Sequence, residues 1–203
     1  MNFLTKLIFL LRKPKVIIVT GKRRASTAKA IYCVLKSNFR VEKLVEKTPN
    51  VLNLFKKRVF LIETGLKSPH FSKKLNHWIK LSQLPILVIT QIDEINETRK
   101  LAETIPVYGF LILNYDDKQI REINNIKSLK TLTFGFQEGA DFMASDIHTN
   151  NGVNFKINYK GNVIPVWLEK SYGEEQIYNV LAANSVGMIF GLNFIEISKA
   201  LKN

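Results

Sequence analysis

The chain is poor in cysteine, histidine and acidic residues, and each shortage excludes a class of protein. Its single cysteine, Cys33, rules out a disulfide framework and leads us to expect a reducing, cytoplasmic location. Three scattered histidines with no Cys/His cluster disfavour a zinc site. Asp and Glu number 17 against 30 Lys and Arg, and the resulting net charge of +13 favours anionic partners.

Long apolar runs are also missing. The candidate near the N-terminus, residues 7–11, is too short to cross a bilayer and is followed by Pro14. We expect residues 1–14 to form a short N-terminal helix packed on the domain, with peripheral membrane contact as the alternative and no transmembrane segment. The hydrophobic content of 46% is enough for one globular domain with a sizeable core.

The apolar pattern predicts an α/β protein. Residues 16–19 form a continuous β-branched run, which is typical of a strand buried on both faces of a parallel sheet, and a helical pattern begins at Ser26. Predicted strands then alternate with predicted helices: strands at 58–62, 85–90, 108–113 and 131–134, helices at 71–81, 94–104 and 117–126. This order predicts a doubly wound, mostly parallel sheet.

The pattern changes after about residue 140. Three short segments of alternating polarity, at 141–148, 153–159 and 163–168, predict strands, and Lys160-Gly161-Asn162 predicts a hairpin turn between the last two. We expect a small antiparallel β-sheet over about residues 140–169. Two C-terminal helices are predicted after it, at 174–190 and 194–201.

A P-loop-like turn lies between the first strand and the first long helix. Free N–H groups and a partial positive charge at the start of a helix favour an anion in the preceding loop. A working phosphate-binding loop places Gly-Lys directly before Ser or Thr, whereas this chain has Arg24 and Ala25 there. The candidate nucleotide-binding residues are Gly21, Lys22, Arg23, Ser26 and Thr27. The alternative is a basic strand-to-helix turn that binds nothing.

Three segments in the last third of the chain occur in the order seen in Mur ligases: Phe134-Gly135-Phe136, residues 140–147 and residues 178–183. The chain resembles the central, ATP-binding domain of that family. Within the family it is most similar to the ligases that add D-alanyl-D-alanine to the UDP-muramoyl tripeptide in peptidoglycan synthesis. The resemblance implies that residues 15–203 form a Mur-ligase-like central domain.

The resemblance also implies a reaction and a site. Family members form an amide bond with ATP, through an acyl phosphate that an amine attacks. Thr20-Gly21 matches the start of the family's nucleotide loop and Glu63-Thr64-Gly65 its magnesium-binding segment. By the same resemblance, Ser26 and Glu63 are the expected Mg²⁺ ligands and Asn179 the adenine contact.

Four substitutions depart from the family pattern. Ala25 replaces the loop lysine, Arg24 a glycine, Asn96 a magnesium-binding histidine, and Glu175 the histidine before the adenine asparagine. Loss of the lysine removes a charge that would stabilise the transferring phosphoryl group. We therefore expect a degraded site for ATP and Mg²⁺, and a pseudoenzyme with little or no ligase activity alone. A protein partner would supply the family's other domains.

Two other functions are kept as alternatives. The first is a non-catalytic interaction or regulatory module that pairs with a cell-wall enzyme, which an exposed apolar patch would favour. The second is a basic nucleic-acid-binding protein, based on the net charge. No aromatic residues are interleaved with the basic clusters as stacking platforms, so nucleic acid is the less favoured partner.

Four further side chains have predicted structural roles. Trp78 and Trp167 lie among apolar neighbours and are expected in the core. Asp116 and Asp117 could be a paired acid and base, but at the end of a strand they are expected to cap the next helix.

Overall fold

The computed structural model describes residues 3–47, 49, 53, 56, 58–66, 69–92, 94–123, 129–149, 152–168 and 173–202. Residues 1–2 of the predicted N-terminal helix, 124–126 of the helix predicted at 117–126, and 150–151 and 169 of the predicted small sheet lie outside this set. The helices are α1 (Phe3–Arg12), α2 (Arg24–Lys36), α3 (Pro69–Leu81), α4 (Ile95–Glu103), α5 (Lys118–Ile123), α6 (Glu175–Ile189) and α7 (Phe194–Lys202). The strands are β1 (Lys15–Thr20), β2 (Val41–Val45), β3 (Val59–Glu63), β4 (Leu84–Ile89), β5 (Phe110–Asn114), β6 (Lys130–Gly135), β7 (Phe142–His148), β8 (Val153–Tyr159) and β9 (Asn162–Leu168).

The nine strands form one sheet in the order β2-β3-β1-β4-β5-β6-β7-β8-β9. All pairs up to β6–β7 are parallel, and β7–β8 and β8–β9 are antiparallel. This confirms the predicted α/β class with a mostly parallel sheet. The antiparallel strands continue the parallel sheet, because β7 pairs with β6 through Phe134↔Phe142 and Gly135↔Met143.

Both faces of the sheet are covered, as the β-branched run of β1 predicts. Ile17 and Val19 point into a core built with α2, α6, α7 and the antiparallel strands. Val16 and Ile18 point into a second core built with α1, α3, α4 and α5. Successive residues of a strand point to opposite faces, so an all-apolar strand supplies both cores.

Helix α1 lies against α3 through aromatic packing. Phe9 is fully buried, and its ring centroid lies 4.6 Å from that of Trp78 at an interplanar angle of 75°. Leu11, on the opposite side of the same helix, is 74% exposed. Across the described ranges, we find no helix with the length and hydrophobicity needed to cross a membrane.

The structure adds one strand to the predicted set and corrects one expectation about the core. Strand β2 was not predicted, because Glu42 and Lys43 interrupt its apolar pattern and it lies at the edge of the sheet. Trp78 is buried as predicted, but Trp167 is 56% exposed and the prediction that it lies in the core is wrong. Its neighbours Val166 and Leu168 face inward on β9, and the alternation of a strand turns Trp167 outward.

The strand order places a crevice at one point of the sheet. From β1 the chain crosses to β3 on one side, and β4 then lies on the other side of β1. In doubly wound sheets, ligands bind outside the carboxyl ends of the strands where the order reverses. The loops after β1 and β4 meet at this position.

Candidate functional site

The loop after β1 is locked against the loop after β4. Gly21 has φ +100°, and a Cβ on it would collide with the carbonyl oxygen of Gln91, so only glycine fits. The amide of Lys22 donates to that same carbonyl at 3.0 Å. The Thr90 hydroxyl lies within hydrogen-bonding distance of the carbonyls of Thr20 and Lys22. These contacts fix the loop's backbone.

Helix α2 begins directly after this loop. Arg23 adopts a left-handed conformation (φ 62°) and its side chain does not cap the helix. The first helical amide with a partner inside the turn is that of Thr27, which donates to the Arg23 carbonyl at 3.2 Å. A helix start without a side-chain cap presents N–H groups and a partial positive charge to the loop.

Asn179 ties this turn to α6. The Thr27 hydroxyl donates to Asn179 Oδ1 at 2.7 Å, and the Ser26 hydroxyl lies 3.3 Å from the same atom and 2.9 Å from the Arg23 carbonyl. Asn179 is only 2% exposed, and its Nδ2 donates to Gln176 Oε1 at 3.4 Å. Three of the predicted binding residues are thus brought together, with Asn179 in an internal anchoring role.

A cleft of about 690 Å³ opens beside the loop. Lys22 and Arg23 contribute its basic side, and the segment after β5 and the start of α6 contribute mostly acidic groups. These are Asp116, Asp117, Glu174 and Glu175, together with Lys118 and Tyr178. Thr27 and Asn179 line a small adjoining void of about 20 Å³ that Arg23 also contacts.

The two aspartates in the cleft have structural partners. Asp116 accepts hydrogen bonds from the amides of Phe136 (2.7 Å) and Gln137 (3.0 Å) and from the Tyr178 hydroxyl (2.8 Å). Asp117 accepts from the amides of Gln119 (2.9 Å) and Ile92 (3.1 Å). Asp117 therefore caps α5 as predicted, whereas Asp116 joins the end of β6 to α6. Because each carboxylate is held by its own hydrogen bonds, Asp116 and Asp117 do not form an acid–base pair.

Tyr178 was not among the predicted site residues. Burial, and then its hydrogen bond to Asp116, raise the pKa of the Tyr178 hydroxyl above its ordinary value. The phenol therefore stays protonated and donates to the carboxylate. The bond joins residues 62 positions apart, so local sequence pattern gives no signal for it.

An ion pair spans the mouth of the cleft. Arg23 Nη2 lies 2.8 Å from Glu175 Oε1, and both side chains are well exposed, at 40% and 63%. Glu175 is one of the residues that departs from the family pattern. An exposed pair of this kind is weak, so an incoming anion can compete for Arg23.

The two predicted metal ligands have other partners. Glu63 lies at the end of β3, is 7% exposed, and its Oε2 is 3.2 Å from Lys43 Nζ. The Ser26 hydroxyl is engaged with Arg23 and Asn179. Among the residues that the structure describes, no group of three or more His, Cys, Asp or Glu side chains is placed to hold a metal ion. Both expected Mg²⁺ ligands are thus engaged by groups of the chain itself.

A comparison of the chain with known protein families supports the resemblance to Mur ligases. Residues 90–187 match the Mur ligase middle domain. Over these residues, just under half of the chain, the protein is similar to Mur ligases. This confirms the resemblance found in the sequence, including the segments at 134–136, 140–147 and 178–183 that carried it.

Two curated proteins that are similar to this chain are ligases. The chain is 33% identical over 103 residues to a UDP-N-acetylmuramate–L-alanine ligase of Alkaliphilus metalliredigens, covering 50% of this chain and 22% of the relative. It is 28% identical over 189 residues to a UDP-N-acetylmuramoyl-L-alanyl-D-glutamate–2,6-diaminopimelate ligase of Clostridium acetobutylicum, covering 85% of this chain and 38% of the relative. The chain spans about a quarter of the length of relatives such as the first.

Solved structures share the fold over nearly the whole chain. A D-alanyl-D-alanyl-adding ligase of Acinetobacter baumannii superposes with a TM-score of 0.77 at 20% identity, covering 98% of this chain and 48% of that one. The MurF ligase of Thermotoga maritima, solved in complex with ADP, gives 0.72 at 17% identity, covering 96% and 51%. At these identities the likeness establishes the fold and not the chemistry.

Proposed function

We propose that the chain is a nucleotide-binding domain of the Mur ligase type with little ligase activity of its own. The observation that carries the proposal is the anchored loop at the reversal of strand order. Gly21 closes the loop against Gln91, and Ser26 and Thr27 hold it to Asn179. Together they leave the start of α2, Lys22 and Arg23 facing one cleft.

The ligand of this proposal is ATP or ADP. Lys22 and Arg23 supply two cationic side chains beside the start of a helix, which suits a polyphosphate. The cleft of about 690 Å³ is of the size that small-molecule sites have. The related ligase of Thermotoga maritima was solved with ADP, which supports a nucleotide over other anions.

The same loop is the reason why we propose weak ligase activity. Ala25 stands where the resemblance expects the lysine that contacts the transferring phosphoryl group, and its methyl group carries no charge. Catalysis of phosphoryl transfer depends on positioned positive charge, so binding can persist where the chemical step is slow. The expected Mg²⁺ ligands Ser26 and Glu63 do not enter this proposal, because each has a partner of the chain's own.

The experiment is an isothermal titration of the full chain with ATP. Replacing both Lys22 and Arg23 by Ala should weaken binding by about tenfold or more, since two charge-assisted contacts are lost. Replacing Lys29 and Lys36, two exposed lysines of the following helix α2, by Ala removes the same amount of charge and should change the affinity little. Absence of binding heat and of a thermal shift at millimolar ATP would contradict the proposal.

A second candidate, the interaction module, is favoured by one observation. Val163, Trp167 and Ile195 are exposed by 57%, 56% and 68% and lie on or beside β9 and α7. The hollows that Trp167 and Ile195 line share Pro165, Ser198 and Lys202, so the two hollows adjoin. Exposed apolar patches of this kind mark association surfaces.

This second candidate is tested by association with a full-length Mur ligase. Light scattering on an eluting mixture should show a complex that Trp167→Glu abolishes. Val107→Glu changes an equally exposed apolar residue away from the patch and should leave the complex intact. A mixture that elutes as two separate proteins counts against the interaction function.

A further inference from the structure

A lysine contacts the carboxylate that the resemblance assigns as a metal ligand. Glu63 is nearly closed off from solvent, and Lys43 reaches it from the neighbouring strand β2 with an Nζ–Oε2 distance of 3.2 Å. The Lys43 side chain is itself only 29% exposed. A carboxylate in such a position needs a positive partner, because an uncompensated buried charge is strongly destabilising. Lys43 meets that need within the chain.

An arginine lies between the loop and the end of β3. Arg24 Nη1 donates to the Gly21 carbonyl at 3.3 Å, and Arg24 Nη2 lies 3.1 Å from the position that a Cβ on Gly65 would take. The amide of Gly65 in turn donates to Glu46 Oε1 at 3.0 Å. The absent side chain of Gly65 therefore leaves room for the Arg24 guanidinium. One of its donors binds the loop carbonyl, and a guanidinium carries further N–H donors.

A divalent cation held by Ser26 and Glu63 would compete with both groups. It would have to displace Lys43 from Glu63, and it would bring two positive charges to the end of β3, where the Arg24 guanidinium packs against Gly65. Like charges at a few ångström repel strongly where water is scarce. The arrangement favours fixed side-chain cations over a mobile metal ion.

We propose that the chain binds the polyphosphate of a nucleotide without a divalent cation, with Lys43 neutralising Glu63 and Arg24 supplying the guanidinium that contacts phosphate. The inference rests on the proposed nucleotide-binding function. It assigns a positioning role to Lys43, which contacts a protein carboxylate, and a binding role to Arg24. Arginine suits that role because its planar fork matches phosphate oxygens in pairs.

The test is a set of ATP titrations of the full chain, each run once with excess EDTA and once with millimolar MgCl₂. For the wild type, the two dissociation constants should agree within about threefold, which is less than one 1.4 kcal/mol step. Arg24→Ala should weaken ATP binding by about tenfold in both buffers. Lys29→Ala, on the exposed side of α2, is the matched control and should have little effect.

Removing Lys43 should create a dependence on magnesium. In Lys43→Met, Glu63 has lost its cation, and Mg²⁺ should strengthen ATP binding by about tenfold. If that variant does not fold, the double variant Lys43→Met/Glu63→Gln removes both charges and should bind ATP equally in the two buffers.

Two outcomes overturn the inference, and they are distinct. Wild-type binding that Mg²⁺ strengthens tenfold or more, and that EDTA abolishes, shows a metal site and leaves the proposed nucleotide function intact. No ATP binding in either buffer removes the proposed function and this inference with it.

Discussion

At the scale of single residues, Gly21 has the most demanding environment in the candidate site. Its φ of +100° is unfavourable for any L side chain, and a Cβ would collide with the Gln91 carbonyl. We expect Gly21→Ala to lower the free energy of unfolding by about 1–3 kcal/mol through backbone strain alone, and by more from the collision. Chemical denaturation measures this change.

The matched control for that variant is Gly161→Ala in the β8–β9 turn. Gly161 also has a positive φ, of +78°, but nothing lies within 4 Å of an added Cβ. Gly161→Ala should lower the free energy of unfolding only through its unfavourable backbone conformation, without the collision. Equal losses for the two variants would show that the contact with Gln91 does not restrict the loop.

The hydroxyl of Tyr178 is the second test at this scale. Tyr178→Phe removes one of the three donors to Asp116 and keeps the ring, which packs edge-on against Phe136 at a centroid distance of 4.5 Å. We expect a loss of about 1–2 kcal/mol in the free energy of unfolding, as for a hydrogen bond to a charged group. Tyr108→Phe loses only longer bonds, at 3.3 and 3.5 Å, and should cost less than half as much. A loss no larger than that of the control would mean that Asp116 does not depend on the phenol.

At the scale of elements, the joint between α2 and α6 depends on one buried amide. Thr27→Val keeps the shape of the side chain but cuts the 2.7 Å bond to Asn179 Oδ1. A double-mutant cycle with Asn179→Ala should give a coupling free energy of about 1 kcal/mol, measured by denaturation. Additive losses in the cycle would contradict the anchoring role of Asn179.

The N-terminal helix provides its own internal comparison. Phe9→Ala removes a fully buried ring that packs on Trp78, and we expect a loss of about 3–5 kcal/mol in the free energy of unfolding. Leu11→Ala in the same helix alters a side chain that is 74% exposed and should cost less than about 0.5 kcal/mol. Similar losses for both variants would mean that α1 does not pack on the domain in solution.

Sequence pattern predicts strands well where burial follows a regular pattern, on both faces in β1 and on alternate residues in β8. The β-branched run at 16–19 became β1, and the segment at 153–159 became β8 with the same bounds. Strand β2 was not predicted because it contains charged residues. An edge strand tolerates such residues, but local sequence does not reveal that β2 lies at the edge of the sheet. Missing β2 also hid Lys43, since its contact with Glu63 exists only once β2 and β3 pair.

The candidate site was predictable in part for a related reason. The turn at 21–27 has a local signature of strand, glycine and helix, and the resemblance added Asn179. The contacts of Arg24 with Gly65, and of Tyr178 with Asp116, join segments far apart in sequence. Such contacts depend on the strand order, so residue types alone do not identify them.

At the scale of the whole molecule, the sheet explains where the site lies. Strands β1–β7 run parallel and put the ends of β1, β4 and β5 at one edge, and the antiparallel pairs β7–β8 and β8–β9 extend the far side. The family match at residues 90–187 covers β5–β9 and most of α6, and strands β1–β4 lie before it. The loop after β1, which holds most of the predicted nucleotide residues, lies before that match and must be tested directly.

The most direct test of nucleotide binding at this loop is a titration of the isotope-labelled chain with ATP, followed by amide NMR. We expect saturable shifts of the amide resonances of Gly21, Lys22, Arg23 and Ser26, because their N–H groups surround the loop. The amide of Gly161, in the distant hairpin turn, should not move. Shifts confined to basic surfaces away from residues 21–27, or no shifts at millimolar ATP, would contradict the account.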